Sequence, residues 1–197
     1  MKILVVILCT RKNMISKSQL SFQKMFENFP HVEPIYTLNN KNEILENIKE
    51  SNLSGIILGG SESRVLQKDK VDVPIEVFKS NIPILGICYG FQLMIEKLCG
   101  ETSIGSFKNN DQKIATRYLT IDTPILKVPK SKYYFIHHDF VNKVPTKWSK
   151  DIIKGDQIWM AHHNKMIGIQ FHPEKYKTSG KRFFQNWIKM LTLNLYS

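Results

Sequence analysis

Gly86-Ile87-Cys88-Tyr89-Gly90 sets a thiol between two glycines, where an apolar run ends and a helical pattern begins. A G-x-C-x-G at the end of a strand has the form of a nucleophile elbow. The flanking glycines leave room for a sharp turn and for close approach of neighbouring backbone. The same turn puts Cys88 at a helix N-terminus, where unpaired N–H groups and the positive end of the dipole favour thiolate. A buried core cysteine with glycines for packing is the alternative. That reading suits Cys9 and Cys99, which lack this context, better than it suits Cys88.

A thiol nucleophile needs a base and a group that orients the base. Gly168-Ile169-Gln170-Phe171-His172-Pro173-Glu174 supplies both. His172 and Glu174 are two apart, so in an extended segment they point to the same side and the carboxylate can hold the imidazole. An isolated H-x-E is more often a loop histidine beside a surface glutamate; the preceding strand and the upstream elbow favour the functional reading here. His31, His162 and His163 have no such setting and read as structural or surface residues. Gly59-Gly60, ending another apolar run, can offer backbone N–H groups to an oxyanion together with the N–H of Tyr89. Most Gly-Gly pairs are only turns. Gly59-Gly60-Ser61-Glu62-Ser63 also loosely matches the SGGxDS loop of ATP-pyrophosphatases, but Leu58 and Glu62 both depart from it. No GxxxxGK and no GxGxxG occurs, so nucleotide binding through those loops is not expected.

The elements that must position these residues alternate. Lys2 to Leu8 reads as a strand buried on both faces. Ser18 to Phe29 has helical spacing and stops at Pro30. A weaker strand follows at Val32 to Leu38, then a polar helix from Lys41 to Glu50. Gly55 to Leu58 and Pro83 to Ile87 are further buried strands, the second running through the elbow into a helix from Phe91 to Leu98. Strands alternating with helices predict an α/β fold with a mostly parallel, flavodoxin-like central sheet flanked by helices. After Gly100 short strands at Thr116 to Ile121, Tyr133 to Ile136, Gln157 to Ala161 and Met166 to Phe171 predict a small antiparallel annex or an extension of the main sheet. Asn164-Lys165 is a candidate hairpin turn, and a last helix spans Gly180 to Leu195. No repeat or linker divides the chain, so residues 1–197 are expected to form one domain.

Composition sets the outer bounds. The chain has 197 residues, 42% of them apolar and 23% charged, an ordinary globular balance. Lys and Arg number 28 against 17 Asp and Glu, a formal charge of +11. The basic residues are scattered, with no aromatic interleaving, so the charge reads as a solvated surface and nucleic acid is not an expected partner. Ile3 to Cys9 is far short of the roughly 20 apolar residues of a spanning helix. Thr10-Arg11-Lys12 stands where a signal peptide needs small residues. Three cysteines without CxxC spacing argue against disulfides or zinc and for a reducing, cytoplasmic setting. No metal or other cofactor is expected.

Taken together, Gly55 to Gly60, Pro83 to Gln92, His137 to Val141 and Gly168 to Glu174 resemble, in this order, the class I (triad) glutamine amidotransferase family. Within it, the Cys-Tyr pair, His137-His138-Asp139-Phe140-Val141 with Pro145, and Thr178-Ser179-Gly180 with Asn186-Trp187 are most similar to the glutaminase part of GMP synthetases. The resemblance implies that Cys88 attacks the amide of L-glutamine and forms a γ-glutamyl thioester. His172 then moves the protons, Glu174 orients His172, and the N–H groups of Gly60 and Tyr89 hold the oxyanion. It further implies substrate contacts at Gln92, His138 and Asp139. The released ammonia would pass to a separate synthetase, of the ATP-pyrophosphatase type acting on XMP if the GMP synthetase likeness extends that far.

The chain also departs from the family. Leu58 and Ser61 replace the family's serine and proline around the two glycines. His138 stands in place of a glycine and Ile136 in place of a serine, and Ser103 to Gln112 lacks the tyrosine-glycine pair frequent in GMP synthetases. Two other readings therefore stay open: a stand-alone hydrolase of γ-glutamyl peptides with the same triad, and a catalytically silent regulatory or binding subunit.

Overall fold

A computed structural model describes residues 1–108 and 111–196. Asn109 and Asn110, within the Ser103 to Gln112 stretch, lie outside the described residues. Five parallel strands carry the architecture: β1 (Lys2–Ile7), β2 (Glu33–Leu38), β3 (Leu53–Leu58), β4 (Ile84–Ile87) and, far along the chain, β11 (Met166–Ile169). Two antiparallel strands, β9 (Ser149–Lys154) and β10 (Gln157–His163), extend the sheet, giving the order β2-β1-β3-β4-β11-β10-β9. The mostly parallel α/β sheet expected from the alternating pattern is therefore present. The expected annex takes both suggested forms. Besides the extension, β6 (Lys113–Asp122) pairs with β7 (Lys127–His137), and β5 (Ile104–Ser106) with β8 (Asp139–Val141), each antiparallel.

Two-residue alternation in the strands builds two cores. Ile3, Val5 and Ile7 face one side with Ile57, Leu85, Ile87 and Ile169; Leu4 and Val6 face the other with Ile56, Leu58 and Ile84. The first side is covered by α1 (Lys12–Phe26), α5 (Lys177–Leu193) and the β6–β7 ribbon. The second is covered by α2 (Lys41–Glu50), the short α3 (Glu76–Lys79), α4 (Tyr89–Cys99) and residues of β5 and β8. Helices on both faces explain why the central parallel strands β1, β3, β4 and β11 are almost wholly apolar, while the edge strand β2 stays part-exposed.

Several boundaries differ from the sequence reading, for identifiable reasons. α1 begins at Lys12, not Ser18, because the carboxylate of Glu62 accepts the backbone N–H groups of Thr10 (2.9 Å) and Arg11 (2.7 Å) just before the helix. A cap supplied from a distant loop leaves no local signal. The same helix ends at Phe26; Phe29 is buried from a following turn in which its N–H bonds the Phe26 carbonyl. α5 starts at Lys177 and closes at Asn194, which adopts the left-handed conformation (φ 53°) suited to a C-cap. Asn164 likewise takes a positive φ (48°) in the β10–β11 turn. The short strands β5, β8 and β9 were not expected: three-residue pieces and the half-exposed β9 show no clear alternation.

Candidate active site

The carboxyl ends of β3, β4 and β11 lie side by side in the sheet, and Gly60, Cys88 and His172 follow these three ends. In open parallel sheets that edge is where ligands bind. At Cys88 the chain turns from strand to helix with φ 53° and ψ −105°, a conformation that costs energy for a residue with a side chain. Neighbouring backbone holds the turn: the Cys88 N–H donates to the Ile169 carbonyl (2.7 Å) and the Gly90 N–H to the Gly59 carbonyl (3.1 Å). Gly86 makes the turn possible, since a Cβ there would stand 2.9 Å from the backbone of Gly90 and Phe91. α4 starts at Tyr89, two residues earlier than the sequence reading placed it, so the thiol sits directly at the helix N-terminus. Cys88 is buried. Its Sγ lies 3.4 Å from the Ile136 carbonyl and accepts from Gln170 Nε2 at 3.5 Å.

His172 leaves β11 in an isolated bridge to β7, its N–H donating to the Tyr134 carbonyl (2.8 Å). Its Nδ1 is 2.7 Å from Glu174 Oε1, in the short turn Pro173–Lys175. This fixes the imidazole and leaves Nε2, which has no hydrogen-bond partner among the described residues. Burial opposes the imidazolium, but the charges of Glu174 and Cys88 outweigh it and raise the His172 pKa from 6.5 to about 10. Burial likewise opposes the Glu174 carboxylate, and the neighbouring imidazolium more than compensates, holding that carboxyl below its usual range. Gly60 lies against the ring itself, where an added Cβ would be 2.8 Å from Cε1.

Every site residue singled out in the sequence lines one cavity of about 220 Å³. Tyr89 opens α4, so its N–H has no intrahelical acceptor. Its side chain turns away to donate to the Val71 carbonyl (2.5 Å). The Gln92 amide is buried and donates to the Asp139 backbone carbonyl and to Gln170 Oε1 (3.2 Å). His138 Nε2 is 3.2 Å from Gln112 Nε2, so the imidazole that replaces a glycine borders the cavity. The Asp139 carboxylate pairs with Arg64 and accepts from Ser106 Oγ (2.6 Å), leaving its backbone carbonyl to bond Gln92 and His137. The cavity also holds Cys9, whose thiol is pushed up to about 12 by burial and by Glu62, and which therefore stays protonated at neutral pH.

Sequence reasoning missed Arg64, Gln170 and His137. Gln170 was within reach, because alternation places it on the same side as His172. His137 is buried, and burial lowers its pKa to about 4; its neutral ring donates from Nδ1 to the Asp139 carbonyl (3.0 Å). Arg64 had no local signal, its partner lying in another segment. His162, read as structural, bonds Asp151 (2.7 Å) away from the cavity. Among the described residues no His/Cys/Asp/Glu group could hold a metal ion, and no helix is long and apolar enough to cross a membrane.

A strained cysteine at a strand–helix turn and an imidazole–carboxylate pair line one cavity of this α/β fold, the class of groups from which nucleophilic catalysis is built. The comparisons with known proteins narrow the class. Residues 21–190 match the family model described as glutamine amidotransferase class-I. The GMP synthase [glutamine-hydrolyzing] of Petrotoga mobilis is 33% identical over 152 residues, covering 73% of this chain and 29% of that protein. The enzyme of the same description from Streptococcus mutans is 33% identical over 135 residues, covering 66% and 26%. The chain thus spans less than a third of the length of these relatives. Among solved structures, a glutamine amidotransferase from Thermotoga maritima superposes with a TM-score of 0.66 at 18% identity, covering 100% of this chain and 86% of that one. The glutaminase domain of Trypanosoma brucei CTPS superposes with a TM-score of 0.68 at 11% identity, covering 98% and 94%. The chain belongs to the class I glutamine amidotransferase family, and its glutaminase-type sequence is similar to that of GMP synthases.

Proposed function

We propose that this chain hydrolyses the side-chain amide of L-glutamine and delivers the ammonia to a synthetase of the ATP-pyrophosphatase type that aminates XMP. The observation that carries the reading is the geometry of three chain segments. The Cys88 elbow, the His172–Glu174 pair and the Gly60 backbone line one cavity at adjacent strand ends. Family membership supports glutamine hydrolysis in general, and the likeness to GMP synthases supports the choice of acceptor.

The chemistry follows from these positions. Cys88 Sγ attacks the amide carbon as the thiolate, its proton already resting on His172 Nε2, as the raised pKa of that imidazole favours. The developing oxyanion is met by the N–H groups of Gly60 and Tyr89, each worth about 3 kcal/mol to the transition state. The C–N bond breaks as His172 returns the proton to the leaving amine, which departs as ammonia. Water, deprotonated by His172, then opens the thioester and releases glutamate. Glu174 keeps Nδ1 engaged so that Nε2 is always the nitrogen that exchanges the proton. The ammonia then serves the synthetase as the nucleophile for amination.

Two measurements test this. Intact mass after exposure to a chloroketone analogue of glutamine is expected to show one adduct, absent from Cys88→Ser. Addition of an ATP-pyrophosphatase partner is expected to give glutamine-dependent conversion of XMP to GMP. Cleavage of γ-glutamyl dipeptides in preference to glutamine overturns the amidotransferase reading. Glutamine hydrolysis coupled only to another acceptor overturns the assignment to XMP.

A further inference from the structure

We infer that the Arg64–Asp139 ion pair is a positioning clasp that sets the shape of the glutamine pocket from outside the triad. This rests on the reading of Cys88 as the nucleophile of that pocket. Arg64 lies on the loop that leaves β3, four residues after Gly60. Its Nη2 is 2.7 Å from Asp139 Oδ1, and its Nε is 3.2 Å and 3.5 Å from the two carboxylate oxygens. Nη2 also donates to Ser106 Oγ (3.1 Å), which in turn donates to Asp139 Oδ1 (2.6 Å). Three segments distant in sequence therefore meet at one carboxylate whose side chain is 1% exposed.

The carboxylate is not offered to the cavity; the backbone around it is. The Asp139 carbonyl accepts from Gln92 Nε2 and from His137 Nδ1, and three residues earlier the Ile136 carbonyl faces Cys88 Sγ. On the other side of the ion pair, the loop bearing Arg64 begins at Gly60, whose Cα lies against the His172 ring. That loop has a second anchor, since Glu62 Oε1 accepts from Thr10 Oγ1 (2.8 Å) and from two backbone N–H groups at the head of α1. The loop is thus tied to α1 on one side and to residues 136–139 on the other, with the cavity between.

A buried carboxylate deprived of its guanidinium must be rehydrated or neutralised. Either response moves residues 136–139, and with them Gln92 and the Ile136 carbonyl. The imidazole of His172 is held by Glu174 rather than by the clasp, so the group that exchanges the thiol's proton stays in place. Loss of the clasp therefore weakens binding of a glutamine-shaped ligand and leaves reaction with a small, shapeless electrophile nearly intact.

The test compares two alkylating reagents on the same chain, the chloroketone analogue of glutamine and iodoacetamide, with adducts located by peptide mass. In Arg64→Ala the half-saturation concentration for the chloroketone is expected to rise about tenfold, with its limiting rate and the iodoacetamide rate changed less than about threefold. Arg64→Lys is expected to recover part of the loss. Arg64→Ala combined with Asp139→Asn should do no worse than Arg64→Ala alone, as residues acting as one unit are not additive. An unchanged half-saturation value, or equal slowing with both reagents, overturns the clasp. Loss of the parent's circular-dichroism spectrum would mean that the variant has unfolded. Ser106→Ala then takes its place: a rise of about threefold supports the clasp and no rise overturns it. No adduct on the unsubstituted chain overturns the Cys88 reading and the clasp with it.

Discussion

The Cα of Gly60 lies against the imidazole of His172, and a methyl group at that position would stand 2.8 Å from Cε1. The ring cannot retreat freely, because Nδ1 is held by Glu174 and the backbone of His172 is bonded to Tyr134. Gly60 is therefore required on steric grounds, independently of anything its N–H does.

Gly60→Ala is accordingly expected to push the ring out of line with Cys88. Misplacement of a general base by a fraction of an ångström to an ångström costs on the order of 10²-fold in rate. Ammonia release from glutamine should fall by about that factor, with circular dichroism unchanged. A variant within about twofold of the parent would show that the ring tolerates the methyl.

Removing the charge of Glu174 shifts a pH dependence of known sign. The His172 pKa is raised in the folded chain from 6.5 to about 10. Its contribution to stability is therefore complete below about 6.5 and is lost as pH rises through about 10. Glu174 shifts the opposite way, and its contribution is present above about 4.5 and lost as pH falls through its lower folded value. In Glu174→Gln, burial of His172 is no longer offset by the carboxylate, so its pKa falls. The Cε1–H proton resonance should titrate at lower pH than in the parent. The decline of melting temperature from neutral pH towards 10 should be shallower. An unshifted titration would remove Glu174 as the group that holds the imidazolium.

Gly86→Ala tests the elbow itself. The added Cβ meets backbone atoms of Gly90 and Phe91 at 2.9 Å, and backbone cannot rotate aside as a side chain can. Overpacking of this kind costs about 1–3 kcal/mol. Urea unfolding should show a lower midpoint with an unchanged slope, and chloroketone labelling of Cys88 should slow. Unchanged stability would mean that α4 can slide away from β4 at no cost.

Much of this was readable from residue order. The apolar runs at 3–8, 55–58 and 84–87 foretold buried parallel strands because both faces had to be dry, and both are covered. Cys88, His172 and Glu174 were singled out by local context, and all line the cavity. Gln170 apart, what escaped in the site was mostly what depended on a distant partner. The start of α1 depends on Glu62, and the fate of the Asp139 carboxylate depends on Arg64, 75 residues away. A pattern within one segment cannot report a hydrogen bond to another. The strands β5 and β8 were invisible for a related reason, since three residues are too few to show alternation.

The order of the strands has a temporal consequence. β4 finds one neighbour, β3, before it in the chain, but the other, β11, only about 80 residues later, with Ile84 opposite Met166 and Ile87 opposite Ile169. A nascent chain can align β1, β2, β3 and β4 and so present Cys88. The Ile169 carbonyl that receives the Cys88 N–H and the imidazole that must serve the thiol both arrive only with β11 and the residues after it. Pairings so far apart in sequence are slow to form. The thiol is thus made early and armed late, and an incomplete chain carries a cysteine without a base to activate it.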